Sequence, residues 1–224
     1  MPELPEVETI RRDLAEHLVD RTIEKLSVTQ DDILCRTSRQ ELERTLPGRA
    51  VLEVDRRGKN LLIDVEGGLT LLVNLGMTGQ LFICGPGAEP SDHTHVVADL
   101  SDDRRLVYRD IRRFGHIELA DAKRVAVSHT LRNVGVDAMS DRFTPDYLAE
   151  MLQGRTALLK GALLDQSRLA GLGNIYVCEA LFRAGIDPEA RCRDLCTEAV
   201  GRLHDAIRAV LVEAIAAEGT TISD

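Results

Sequence analysis

The sequence has no apolar stretch long enough for a membrane-spanning helix. Its longest helical apolar run, residues 209–217, is interrupted by Glu213, whereas a transmembrane helix needs about 20 apolar residues. The first residues also lack a basic region followed by an apolar one, so no signal peptide is expected. These absences argue against a membrane protein and predict a cytoplasmic location.

A Cys-x-x-Cys pair is also missing. The five cysteines are scattered, and Cys192 and Cys196 form only a Cys-x-x-x-Cys spacing. A structural zinc site normally needs four ligands, and an odd number of scattered cysteines suits a reducing compartment better than a disulfide framework. The pattern therefore predicts neither a disulfide scaffold nor a metal site.

Positive charge is in short supply. The 28 Lys and Arg residues are outnumbered by 37 Asp and Glu, which leaves a net charge of −9. Binding to a nucleic-acid duplex requires local cations that displace counterions from phosphates. Two basic runs could supply these cations: Arg56, Arg57 and Lys59 in one, and Arg104, Arg105, Arg109, Arg112 and Arg113 in the other. Such runs are often only the solvent-exposed side of a strand or helix. Composition alone does not decide whether the chain binds nucleic acid.

The hydrophobic pattern changes once along the chain. Apolar residues recur at helical spacing from Val7 to Leu18, and short alternating strands follow from Thr22 to about Leu119 without helices between them. Beyond Asp121 the pattern is helical and ends in a long helix stopped by Gly219. We predict an α+β protein with an N-terminal helix and antiparallel β-sandwich over 1–122, and an α-helical domain over 123–224.

The chain begins with Met-Pro-Glu-Leu-Pro-Glu-Val-Glu. If the initiator methionine is removed, Pro2 carries a free secondary amine, and an α-amine with a pKa of about 8 is partly nucleophilic near neutral pH. Glu3 and Glu6 are three residues apart and fall on one side of a starting helix, where a carboxylate could shuttle protons. Acidic residues also favour a helix N-terminus for electrostatic reasons alone, so this motif decides little by itself.

Two loops carry candidate DNA-wedging residues. Gly76 and Gly79 allow a tight turn that exposes Met77, and Arg112 and Phe114 share one face if the chain there is extended. An apolar side chain can replace an extruded base in the stack, and arginine can hydrogen-bond the orphaned base. A core methionine and an ordinary strand end would produce the same pattern.

A further loop lies between two apolar helical segments. Gly171 and Gly173 precede Asn174, which we place at the N-cap of the second helix. Backbone amides at such a position can bind a phosphate. The alternative is a plain helix-turn-helix corner with an asparagine cap.

Together these stretches resemble the formamidopyrimidine-DNA glycosylase family, and the similarity extends from residue 2 to the last residue. The shared motifs are the Pro-Glu-Leu-Pro-Glu-Val-Glu-Thr start, Leu-Gly-Met-Thr-Gly, Arg-Arg-Phe-Gly and Gly-Leu-Gly-Asn-Ile-Tyr. The resemblance implies a helix–two-turn–helix motif in the second domain and a bifunctional glycosylase and abasic-site lyase that acts on oxidised purines in double-stranded DNA. It also implies a monomer located at the nucleoid.

The resemblance further implies roles for individual residues. Pro2 would attack C1′ of the damaged nucleotide and form a Schiff base, Glu3 would donate a proton, and Lys59 would lie near the strand-cleavage chemistry. The residues expected to contact DNA are Glu6, Met77, His93, Arg112, Phe114, Arg155, Lys160 and Asn174. Among them, Met77, Arg112 and Phe114 would fill the gap left by the flipped base and hold its partner cytosine.

The sequence departs from the family pattern at several places, including Asp92, where a lysine is common, and residues 135–139. Asn74 stands where a histidine is usual, a change expected to affect binding more than chemistry. The sequence ends with residues 219–224, at a point where family members continue into a four-cysteine zinc hairpin. On this basis we expect no zinc or other cofactor in this chain, together with weaker DNA binding and impaired δ-elimination.

Three alternatives remain at this stage. The chain could bind DNA lesions without turnover, could act on oxidised pyrimidines as the endonuclease VIII relatives do, or could be an unrelated enzyme that uses an N-terminal proline as a base. The Met77, Arg112 and Phe114 set argues against the last alternative, because an enzyme for small molecules does not need residues that wedge a duplex.

Overall fold

The computed structural model describes residues 2–86 and 91–219. They fold into two compact units, Pro2 with Val7–Arg132 and Glu3–Glu6 with residues 133–219. The domain boundary placed between residues 122 and 123 stays a prediction, because a compact unit need not coincide with a domain. Within the described residues, every helix is too short or too polar to cross a bilayer.

The first unit contains most of helix α1 and eight strands. In chain order the elements are α1 (Leu4–Leu18), β1 (Ile23–Val28), α2 (Arg39–Thr45), β2 (Val51–Arg57), β3 (Asn60–Val65), β4 (Leu69–Asn74), β5 (Gly79–Cys84), β6 (Thr94–Leu100), β7 (Arg105–Asp110) and β8 (His116–Asp121). A 3₁₀ segment, Ala122–Val127, follows β8.

The strands form two antiparallel four-stranded sheets, in the orders β1-β6-β7-β5 and β2-β3-β4-β8. Side chains from both sheets and from α1 form one buried apolar cluster, in which Leu14, Leu18 and Leu61 are fully buried. Burial of each such side chain contributes about 1.5–3 kcal/mol. The predicted N-terminal helix and antiparallel sandwich are confirmed.

One helix interrupts the region that we predicted to contain only strands. Helix α2 begins after Ser38, whose side chain accepts a hydrogen bond from the Glu41 backbone N–H while the Glu41 carboxylate binds the Ser38 backbone. This reciprocal pair is a capping box, which satisfies two backbone donors at the helix start. The Ser-x-x-Glu spacing of Ser38 and Glu41 is the sequence signal for this helix start.

The second unit is mainly helical. Its elements are β9 (Val136–Asp137), α3 (Pro145–Leu152), α4 (Leu159–Leu163), β10 (Leu169–Ala170), α5 (Asn174–Ala184) and α6 (Thr197–Ala216), and a short 3₁₀ segment spans Cys192–Asp194. The predicted final helix is confirmed as α6, and Gly219 follows it with a φ of +84°. Leu203, Ile207 and Leu211 are fully buried on α6 and form the centre of this core.

Candidate functional site

The carboxylate of Glu3 is the best-anchored group at the start of the chain. It is 2% exposed, and its two oxygens accept hydrogen bonds from the backbone N–H groups of Gly173 at 2.7 Å, Ile175 at 3.0 Å and Tyr176 at 3.4 Å. Glu3 therefore caps the N-terminus of α5, where a negative charge is favoured by the helix dipole.

This arrangement corrects two expectations about the Gly-Leu-Gly-Asn loop. Asn174 is the first residue of α5 and is exposed, whereas Gly173 occupies the N-cap position without a side-chain cap. The Gly173 amide and two amides of the first turn bind Glu3 rather than standing open to a phosphate. A Cβ atom on Gly173 would overlap the Glu3 carboxylate, so the glycine permits this approach.

Glu6 ties the same segment to α5. One oxygen accepts from the Glu3 backbone N–H at 2.9 Å, and the other accepts from the Tyr176 hydroxyl at 2.5 Å. The first contact is half of a capping box at the start of α1. Glu6 thus has a structural role that the sequence did not reveal, and its contact with DNA stays a prediction.

Pro2 and Lys59 belong to the first unit. Pro2 is half-buried and directly precedes Glu3, while Met1 lies outside the described residues, so its removal stays a prediction. Lys59 is half-buried in the tight turn between β2 and β3, where Gly58 has a φ of +60°. The turn between β2 and β3 therefore sets the backbone position of Lys59.

The basic run around Lys59 carries less available charge than its sequence implies. Arg56 is bound by Glu8 at 3.1 Å, and both side chains are largely buried. Burial alone would raise the pKa of Glu8, but hydrogen bonds from Arg11, Arg56 and Arg12 outweigh it and hold the pKa below its ordinary value. The Arg56 charge is therefore paired within the protein and contributes little to binding a phosphate.

Two adjacent loops in the first unit present the predicted wedge residues. Met77 is 40% exposed in the turn between β4 and β5, and Phe114 is 56% exposed between β7 and β8. The Arg112 guanidinium lies over the Phe114 ring, 4.5 Å from its centroid, a distance typical of a cation–π contact. The predictions that Met77 is exposed and that Arg112 shares a face with Phe114 are confirmed.

Asp110, which belongs to none of the sequence motifs above, holds these loops together. It is fully buried and accepts hydrogen bonds from the Thr78 hydroxyl at 2.5 Å and from the backbone N–H groups of Gly115 at 2.9 Å and Arg112 at 3.2 Å. The Tyr108 hydroxyl donates to it at 3.3 Å. One carboxylate thus joins the Met77 loop to the Arg112–Phe114 loop.

Backbone packing brings the same two loops close. Gly76 has a φ of +58°, and a Cβ atom there would overlap the backbone of Phe114 and Gly115. Glycine tolerates this conformation without strain. Asn74, at the end of β4, accepts from the Gly76 backbone N–H at 3.0 Å and donates to Asn60 at 2.8 Å, so it supports the turn from within.

The remaining predicted contact residues occupy separate positions. His93 is exposed immediately before β6 with a φ of +71°, and its carbonyl accepts from the Asp110 backbone N–H at 3.0 Å. In the second unit, Arg155 is half-buried in the loop after α3, and Lys160 is half-buried on α4. Their roles at DNA stay predictions.

Comparisons with known proteins cover almost the whole chain. Residues 1–117 match the model of the formamidopyrimidine-DNA glycosylase N-terminal domain, and residues 134–224 match the model of the H2TH domain of the same enzymes. The chain belongs to the formamidopyrimidine-DNA glycosylase family.

Individual family members agree with this assignment. The formamidopyrimidine-DNA glycosylases of Pelotomaculum thermopropionicum and Chloroflexus aggregans are 41% and 40% identical over 100% and 99% of this chain, and over 81% and 80% of their own lengths. The Lactococcus lactis enzyme bound to N7-benzyl-Fapy-dG-containing DNA superposes with a TM-score of 0.94 at 33% identity, covering 100% of this chain and 82% of that one. The predicted family and fold class are therefore confirmed.

Proposed function

We propose that this chain is a DNA glycosylase and abasic-site lyase that excises oxidised purines from duplex DNA through a Schiff base on Pro2. Family membership supports a DNA glycosylase function on oxidised bases. Structures of the Lactococcus lactis relative in complex with Fapy-dG-containing DNA and with abasic-site DNA support duplex DNA with such lesions as the partner. The enzyme would act at the nucleoid, where that substrate is found.

The proposed reaction begins at the Pro2 nitrogen. It attacks C1′ of the damaged nucleotide, the bond from C1′ to the base breaks, and the sugar ring opens at O4′ to leave an iminium ion. The departing base and O4′ each take up a proton: one comes from the amine itself and the other through Glu3, the proposed donor. Loss of a C2′ proton then expels the 3′ phosphate, and water releases Pro2.

The fixed position of Glu3 carries this proposal. Its carboxylate is buried and held by three backbone N–H groups, and it immediately follows the proposed nucleophile in the chain. A group placed so firmly is pre-organised for proton transfer to or from a reacting atom. Lys59 would supply positive charge to a phosphate or to the damaged base.

The wedge residues support the duplex as substrate. Met77 and Phe114 expose apolar side chains on two loops that Asp110 links, and Arg112 lies on the Phe114 ring. Enzymes that act on a base must extrude it, at a cost of a few kcal/mol, and inserted side chains offset the lost stacking. We assign Met77 and Phe114 to this insertion and Arg112 to the orphaned cytosine.

Borohydride trapping tests the proposal. The full chain, mixed with duplex containing 8-oxoguanine opposite cytosine, should give a covalent adduct after reduction. The adduct should be lost in Pro2→Gly and in a version that retains Met1, and it should persist in Pro47→Gly, which changes a proline in the turn after α2. An adduct of undiminished yield when the N-terminal amine is blocked would overturn the role of Pro2.

The same assay separates the second candidates. A lesion-dependent band shift without any adduct would indicate a binding protein without turnover. A duplex with an oxidised pyrimidine belongs in the panel, because the Lactococcus lactis relative has been solved with such DNA. Preferential trapping on that duplex would indicate the endonuclease VIII-like specificity.

A further inference from the structure

Three side chains of metal-ligating type converge in the first unit. Among residues 2–86 and 91–219, Cys35, Glu118 and His129 place a sulfur, an oxygen and a nitrogen within 4.8 Å of one another. The Cys35 Sγ lies 3.1 Å from the His129 Nδ1. Although the sequence pattern predicted no metal site, we propose that these three residues bind a zinc-class divalent cation, with water as the fourth ligand.

The backbone brings Cys35 to this point. The segment after β1 pairs with β8, because the Ile117 N–H donates to the Ile33 carbonyl at 2.8 Å and the Cys35 N–H donates to the Ile117 carbonyl at 2.8 Å. Cys35 therefore lies next to Glu118, the residue that follows Ile117 on β8. Sequence spacing could not show this, because the ligands come from three distant segments.

Glu118 is positioned as a rigid ligand. It is 5% exposed; its Oε1 accepts from the His129 backbone N–H at 3.0 Å, and its Oε2 accepts from the Thr130 N–H at 2.8 Å and hydroxyl at 2.6 Å. Each carboxylate oxygen has two lone pairs, so Oε1, which accepts one of these three bonds, keeps a pair suited to a cation.

A chain of hydrogen bonds through Thr130 and His116 orients the Glu118 carboxylate. The Thr130 hydroxyl donates to Glu118, so it accepts at 3.1 Å from the His116 Nε2, which must carry the proton. Burial, together with the neighbouring His129, lowers the pKa of His116. Such outer partners fix ligand orientation in metal sites and raise affinity by about 10–100-fold.

The donor set selects the kind of ion. Magnesium and calcium prefer oxygen ligands alone, whereas thiolate, imidazole and carboxylate together suit zinc. Tetrahedral bonds of about 2.0–2.3 Å separate ligand atoms by about 3.3–3.8 Å. His129 is exposed and Cys35 is half-buried, so small rotations of these side chains can close the remaining gap.

Binding requires the thiolate. Burial and the Glu118 charge raise the pKa of Cys35, although Arg36 and Arg132 partly offset them, so the free thiol is protonated at neutral pH. When the cation binds, the thiol proton leaves to solvent, and Sγ, Nδ1 and Oε1 each provide an electron pair. The ion would then link residues 33–35 and the 128–130 turn to β8.

Cobalt(II) is the probe for the test, because a cobalt–thiolate bond produces a charge-transfer band in the near ultraviolet. The full chain, stripped with a chelator and dialysed, should show this band with saturation at a single ion per chain, and zinc should displace it. Cys35→Ser should abolish the band, and His129→Gln should weaken binding by more than the roughly 10–100-fold typical of losing an outer partner, because a ligand itself is lost. The matched controls Cys84→Ser and His17→Gln should bind as the parent does.

A second measurement uses only the parent chain, so its result does not depend on whether a variant folds. Zinc should protect Cys35 of the parent chain from alkylation by iodoacetamide, with each site located by peptide mapping, and should leave Cys178 and Cys196, which are exposed, equally reactive. A cobalt band that is absent in the parent or that survives Cys35→Ser, or alkylation of Cys35 unaffected by zinc, would overturn the proposal.

Discussion

Gly173 shows how one residue without a side chain can position a reactive group. Its backbone N–H donates to Glu3, and the space that a Cβ atom would fill is taken by the Glu3 carboxylate. The φ of Gly173 is −128°, a value open to any residue, so the requirement for glycine comes from the close approach and not from backbone strain.

Replacing Gly173 with alanine should therefore displace Glu3. We expect Gly173→Ala to lower the free energy of unfolding by about 1–3 kcal/mol, because buried N–H groups lose their acceptor, and to reduce the yield of borohydride-trapped adduct. Urea denaturation and the trapping assay measure the two effects.

Gly201→Ala is the matched control for that variant. Gly201 lies within α6, and nothing stands within 4 Å of the position of its Cβ. Alanine there should stabilise the chain by about 0.5–1 kcal/mol through the lower entropy of the unfolded state and leave trapping unchanged. Equal effects of the two alanines would show that the Glu3 contact has no special role.

At the scale of single residues, sequence reasoning succeeded where a local pattern carried the information. The glycines flanking Met77 predicted its exposed turn, and the spacing of Arg112 and Phe114 predicted their shared face. The partner of Glu3 could not be predicted, because Glu3 and Gly173 are 170 positions apart and no local spacing relates them.

At the scale of elements, Asp110 connects the end of β7 with both wedge loops. Asp110→Asn removes one of two acceptor oxygens and turns an amide N–H₂ towards groups that are themselves donors. We expect a loss of about 1–3 kcal/mol in the free energy of unfolding. We also expect a smaller affinity ratio between abasic-site and undamaged duplex, measured by fluorescence anisotropy.

Asp103→Asn serves as the control at this scale. Asp103 is exposed in the turn between β6 and β7 with a φ of +65°, a conformation that asparagine tolerates as well. This variant should match the parent in stability and in discrimination. Unchanged discrimination in Asp110→Asn would mean that the wedge loops keep their positions without the carboxylate.

The same carboxylate predicts a dependence of stability on pH. Burial alone would raise the pKa of Asp110, but hydrogen bonds from Thr78 and from the N–H groups of Gly115, Arg112 and Arg113 outweigh it and hold the pKa below its ordinary value. An aspartate in the unfolded chain has a pKa of about 3.9. The stabilisation is thus complete above that pH and is lost as the pH falls through the lower folded value.

Acid titration followed by circular dichroism measures this loss. The parent should lose stability steeply below about pH 4, and Asp110→Asn should show a shallower slope because one linked proton is removed. Glu118, whose pKa is also lowered as its hydrogen bonds from Thr130 and His129 outweigh burial, should sustain the remaining slope in the same direction. Identical slopes would exclude Asp110 as a linked group.

Strand patterns predicted neighbours but not the order of the sheets. Alternating apolar residues on both sides of the Glu66-Gly67-Gly68 turn are typical of a hairpin, and β3 pairs with β4 across it. The segments His95–Leu100 and Arg105–Arg109 show the same kind of pattern, and β6 pairs with β7. The pairing of β4 with β8 and of β1 with β6 joins strands that are distant in sequence. Local periodicity carries no information about such partners, whose choice depends on packing of the whole core.

At the scale of the whole molecule, a net charge of −9 must be reconciled with binding to a polyanion. Charges separated by more than about 8 Å are largely screened at physiological salt, so acidic residues remote from the contacting face have little effect there. Affinity then depends on the few cations that meet phosphates, and each contact contributes about 0.9 to the slope of log K against log salt.

Lys160→Gln and Arg155→Gln should each reduce the magnitude of that slope by about 0.9 and weaken binding equally on all sequences. Lys25→Gln, on an exposed position of β1 outside the predicted contacts, should leave the slope unchanged. Fluorescence anisotropy with abasic-site duplex over a range of salt concentrations measures all three variants. If Lys25→Gln changes the slope as much as Lys160→Gln does, binding responds to total charge, and the assignment of a localised contact at Lys160 is wrong.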